Sequence, residues 1–127
     1  MNILKKTAAL LAVLFGMPLF AALAVGSRGY TASAVVDPGN ATGTVLEKER
    51  IFKLELSGGR YTLSVFDAKG ECAIRIMAEA PAGATSVAVQ LERVHNQAQG
   101  QNGFRAILHL NGKRAADYER NPLILAT

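Results

Sequence analysis

The sequence predicts an all-β protein: a small antiparallel β-sandwich, immunoglobulin-like or jelly-roll-like, of about seven strands behind an N-terminal signal helix. Three observations predict it. Apolar and polar residues alternate with period two from Glu49 to the C-terminus. Turn signals interrupt that alternation about every 8 to 12 residues. Beyond the first 25 residues no segment carries a helical period.

The chain opens with Lys5 and Lys6, followed by an uncharged run of 18 residues from Ala8 to Val25. A positive start, an apolar stretch and the small-x-small triplet Ala22-Leu23-Ala24 are the parts of a secretory signal peptide. Gly16 and Pro18 divide the run into a helical first half and a more extended second half, the kind of break that precedes a signal-peptidase site. Cleavage is therefore expected between Ala24 and Val25, with Ala32-Ser33-Ala34 as a second triplet further on. The competing reading is a retained membrane anchor, since 18 residues is about the lower limit for a spanning helix. No cysteine lies near either triplet, which argues against a lipoprotein. The expected organisation is a signal peptide over 1–24, a flexible lead-in over 25–45, and a sandwich domain over 46–127. Such a domain is periplasmic or secreted.

Within the lead-in, Thr31 to Val36 reads as an edge strand, and Asp37-Pro38-Gly39-Asn40 as a turn. Phe52, Leu54 and Leu56 then alternate with Lys53 and Glu55. Ser57-Gly58-Gly59-Arg60 supplies the positive-φ residues that a tight hairpin needs. Tyr61, Leu63 and Val65 form the next inward row, and Asp67 to Gly70 turns the chain again. Cys72 shares the alternation of Ile74 and Ile76, so burial as a small hydrophobe is expected for it. Val87, Val89 and Leu91 follow the loop at Pro81–Ala84. His95 to Gly103 is polar and amide-rich and reads as the longest connection of the domain. Phe104, Ala106, Leu108 and Leu110 precede Asn111-Gly112, the strongest hairpin turn in the chain. A strand from Lys113 to Glu119 returns, and Leu123 to Ala126 is expected as a short final strand after Pro122.

The formal charge of +4 becomes +2 once Lys5 and Lys6 are removed. That charge is unevenly spread. Arg93, His95, Arg105, His109, Lys113 and Arg114 lie in a stretch without a single acid. These six residues are the expected partner-binding set, facing an envelope protein or an anionic envelope polymer. Nucleic acid is not expected, because no aromatic residues interleave with the basic ones to form a base-stacking platform. A membrane is expected as a partner only through an uncleaved signal segment.

Catalysis is not expected. The serines sit in no Gly-x-Ser-x-Gly elbow, and the acids fall at turns and outward strand positions. No paired-ligand spacing suggests a metal, although His95 and His109 would approach each other in some hairpin registers. A lone cysteine provides neither a disulfide nor a Cys-x-x-Cys redox pair, and no cofactor is implied. The function expected is that of an exported, non-catalytic accessory protein of the cell envelope, binding through a sheet edge or the basic hairpin face. The alternative is a periplasmic chaperone or inhibitor that caps another protein's strand. A small secreted hydrolase or metal-binding protein is the third class. Sandwiches host unrelated functions, so the fold alone does not choose among these.

Overall fold

Left-handed residues stand where the hairpins reverse. Gly58 and Gly59 have φ of 59° and 73°, and Asn111 and Gly112 have φ of 54° and 78°. Both central positions of each turn are thus positive, as a type I′ hairpin requires. Asn111 adds a second device, its Oδ1 accepting from the Ser86 backbone N–H at 3.0 Å.

The computed structural model describes residues 19–26, 29–36, 42–96 and 101–126. The helical part of the expected signal segment, residues 1–18, lies outside them, as does the turn at 37–40. The described residues form nine strands and no helix. These are β1 (Leu19–Gly26), β2 (Gly29–Val36), β3 (Gly43–Lys48), β4 (Phe52–Ser57), β5 (Arg60–Phe66), β6 (Cys72–Glu79), β7 (Thr85–Asn96), β8 (Gln101–Leu110) and β9 (Lys113–Arg120). One sheet has the order β1-β2-β7-β8-β9 and the other β3-β4-β5-β6. Every pairing is antiparallel.

The two sheets face each other in a sandwich-like arrangement. Ala32, Ala34 and Val36 of β2, Val89 and Leu91 of β7, and Ala106 and Leu108 of β8 are all buried. Phe52, Leu54 and Leu56 of β4 and Tyr61, Leu63 and Val65 of β5 are buried in the other sheet. Period-two alternation therefore supplies one apolar face to each sheet, and burying each valine, leucine or phenylalanine in it stabilises by about 1.5 to 3 kcal/mol. Each sheet is built from consecutive strands except where β2 pairs with β7. That order differs from the interleaved sheets of an immunoglobulin domain and from the paired Greek keys of a jelly roll.

Several details depart from the sequence reading. β3 was hidden because a register shift between Thr44 and Leu46 breaks its alternation, burying Val45 and Leu46 side by side. Cys72 is exposed, not buried. Val65 pairs with Ile74 but Phe66 pairs with Cys72, so Ala73 is an extra residue in a bulge that removes Cys72 from the inward row. The amide-rich stretch is mostly strand: β7 runs through Asn96 and β8 starts at Gln101, which leaves only residues 97–100, outside the described ones. The expected final strand forms no ladder. Leu123 donates its N–H to Asn102 O at 3.1 Å, and Ile124 O accepts from Ala68 N at 2.8 Å. This extended segment spans from one sheet to the other and buries Leu123 and Leu125.

Candidate functional site

The six basic residues singled out from the sequence do not form one patch. β7 pairs with β8 so that Arg93 lies opposite Phe104 and His95 opposite Asn102, on the core-facing side. Both project beyond the end of the core row. The Arg93 guanidinium sits 5.7 Å from the centre of the Phe104 ring. His95 Nδ1 lies 2.6 Å from Asn102 Oδ1. Arg105 and His109 occupy the opposite, outer face of β8. Lys113 and Arg114 stand at the far end of the β8–β9 hairpin, roughly 25 Å along the strand from His95 at about 3.4 Å per residue.

Acids absent from that stretch of sequence return in space on β9. Arg105 meets Glu119 at 2.6 Å, and Arg114 meets Asp117 at 3.0 Å. His109 Nε2 is 3.3 Å from Gln90 Oε1. Between Arg105 and His109, on the same outer face, Ile107 is only 1% exposed. The outer-face groups Arg105 and His109 are therefore each paired with a neighbouring strand's side chain, and Arg114 with Asp117 of its own strand. His95 and His109 lie on opposite faces seven residues apart along the hairpin. They cannot share a metal ion. Among the described residues, no group of three His, Cys, Asp or Glu side chains is positioned to hold one.

A surface cleft of about 340 Å³ lies between the β5–β6 turn and the C-terminal segment, lined by Asp67, Lys69, Glu71, Arg120 and Ile124 among others. Two of its polar side chains, Asp67 and Arg120, are already employed. Asp67 Oδ1 accepts from the backbone N–H groups of Lys69 and Glu71 at 2.9 and 3.0 Å. Arg120 donates to Ala73 O at 3.1 Å. Neither a nucleophile–base pair nor a pair of carboxylates across the cleft is present among these residues.

Strand edges give a sharper contrast. An edge strand exposes unpaired backbone groups, and proteins protect such edges with charges and bulges. β3 carries Glu47, Lys48 and its bulge; β6 carries Arg75, Glu79 and the Ala73 bulge. β9 carries Lys113, Arg114, Asp117, Glu119 and Arg120, with a register shift between Leu108 and Leu110's neighbour His109 in its pairing to β8. β2 has none of these devices. Its eight residues, Gly29 to Val36, contain no charge and no proline, and its registers with β1 and β7 are unbroken. Its outward side chains Thr31, Ser33 and Val35 are exposed while Ala32, Ala34 and Val36 are buried. In the structure β1 covers this strand, pairing from Leu19↔Val36 to Gly26↔Gly29. The sequence marked 31–36 as an edge strand but gave no means of seeing what lies beside it.

Compared with protein-family models, curated proteins and solved structures, the chain matches none. What the described residues define is thus a class by architecture alone, an all-β protein of two antiparallel sheets.

Proposed function

We propose that this chain is an exported, non-catalytic binding protein of the cell envelope that acts by strand pairing along the β2 side of its five-stranded sheet. The observation that carries the reading is the unprotected character of β2 beside three edges that each combine charges with a bulge. Export rests on Lys5-Lys6, the apolar run and Ala22-Leu23-Ala24. Cleavage after Ala34 would cut inside β2 and cleavage after Ala24 inside β1; this reading takes Ala24–Val25, which leaves β2 whole. Strand addition gives affinity through main-chain hydrogen bonds, and alternate side-chain positions supply selectivity. The partner is accordingly an envelope protein that offers an extended segment, as a fibre subunit or a strand-capped enzyme would.

The basic face is the second reading, and the Arg105–Glu119 and Arg114–Asp117 pairs weigh against it. Binding of envelope proteins and of heparin, as a model polyanion, separates the two. Ser33→Lys/Val35→Lys is expected to lose protein binding at least tenfold, with little salt dependence in the parent. Arg105→Glu/Arg114→Glu is expected to bind protein as the parent does. Loss in the glutamate variant, with affinity falling steeply as salt rises, makes the basic face the site instead.

A further inference from the structure

We infer that β1 marks the partner site by occupying it in the full-length chain, and that removal of residues 1–24 during export leaves that site open in the folded domain. The inference rests on the strand-pairing reading above and adds the ligand's chemistry and its control. The residues that form β1 are largely those the export reading removes. Hydrolysis of the Ala24–Val25 bond leaves a carboxylate on Ala24 and an amine on Val25, with water as the only co-reactant and signal peptidase as catalyst. Six of the eight register pairs, Leu19↔Val36 through Ala24↔Thr31, then lose their covalent connection to the domain.

That connection is what holds β1 in place. Gly26 pairs with Gly29, so only residues 27 and 28 separate the two strands. Such a short link gives the attached strand an effective concentration in the millimolar range or above. β1 makes no more than marginal contact with any strand other than β2. β2, in contrast, is held by β7 across its whole length and faces β3. Loss of residues 19–24 leaves β2-β7-β8-β9 opposite β3-β4-β5-β6, four strands over four, with the uncharged edge open.

The occupant also states what the slot accepts. Leu19–Gly26 is an eight-residue segment with seven apolar residues and one glycine, bound antiparallel to β2. The partner segment is therefore an extended, uncharged, predominantly apolar stretch of another envelope protein, about six to eight residues long, entering in β1's direction. β2 itself carries Tyr30, Thr31 and Ser33 and differs in composition from the strand observed to fit. A second copy is thus the less matched occupant.

The test compares two natural forms. Full-length chain made by cell-free synthesis, without signal peptidase, retains residues 1–24; exported protein recovered from the periplasm is checked by intact mass. The probe is a fluorescent peptide of sequence Leu19–Gly26 on a neutral ethylene-glycol tail. Exported protein lacking residues 1–24 should bind it saturably, and the full-length chain at least tenfold more weakly. Equal binding by both forms overturns the plug while leaving strand pairing at β2 standing. No binding by the exported form overturns the strand-pairing reading as well, and an exported dimer with protected β2 amides makes a second copy the occupant and overturns the proposed partner. Retention of Met1 in the exported protein removes the opening step.

Discussion

The two ends of the five-stranded sheet handle the same physical problem in opposite ways. β9 ends the sheet with five charged residues, a register shift and only Ala116 and no other side chain even half-buried. At the other end β1 is the last strand, and β2 beneath it places Ala32, Ala34 and Val36 in the core and presents no charge at all. A charged, bulged edge resists pairing with another chain, whereas a smooth uncharged one invites it. The sheet is thus protected on one side by its own sequence and on the other only by β1.

The largest effect should come from placing the same charge on each strand's inner face. Ala34→Asp puts an unpaired carboxylate where the residue is 3% exposed, and a loss on the order of 3 kcal/mol or more is expected. Ala116→Asp, at the one half-buried position of β9, should cost about 1 kcal/mol or less. Urea unfolding of both variants measures the contrast, and equal losses would show that β9 is as deeply built in as β2.

Glycines give a second, smaller contrast. A Cβ on Gly29, at φ +137°, would run into the Leu91 carbonyl of β7, whereas one on Gly112 would meet open space. Gly29→Ala should cost on the order of 2 kcal/mol or more and Gly112→Ala about 1 kcal/mol, from its φ of +78° alone. Thermal and urea midpoints rank the two.

Charges on the β8–β9 side should matter least. Arg105→Ala removes the shorter and less exposed pair, beside Ile107, and is expected to cost about 1 kcal/mol, whereas Arg114→Ala removes a more exposed pair and should stay within about 0.5 kcal/mol. A reversed order in urea unfolding would contradict this ranking of the two pairs.

Apart from both edges, the Tyr61 hydroxyl is buried in the core without a hydrogen-bond partner. Burial raises its pKa above the ordinary value of 10.0, and the neighbouring Thr85 side chain offsets part of the rise. A raised phenol pKa means that the unfolded chain ionises first. Stability from this group is therefore complete below about pH 10 and is lost as pH rises further. Tyr61→Phe should leave stability at pH 7 unchanged or raised by up to about 1 kcal/mol, and should soften the alkaline decline. Denaturation series at pH 8 and pH 11 check both parts.

The inward rows of β4, β5, β7 and β8 were legible because a half-buried strand writes its burial as period two. Both type I′ turns were legible because positive φ leaves few residue choices. Cys72 and β3 were misread for one shared reason: a bulge adds a residue to one strand only, and alternation read locally cannot register it. The basic set failed as a patch because register, set by pairing across strands, decided its geometry and brought Glu119 and Asp117 alongside. β2's lack of charge was visible from the start. Its meaning was not, since an unprotected edge is recognised only against the other edges and the strand covering it.

Amide hydrogen exchange along Thr31–Val36 tests the opened edge most directly, measured on exported protein lacking residues 1–24 and on the full-length chain. An edge vacated by β1 gives fast exchange at alternate β2 amides in the exported form only, with the amides bonded to β7 protected in both. Equal protection of every β2 amide in the two forms would contradict it.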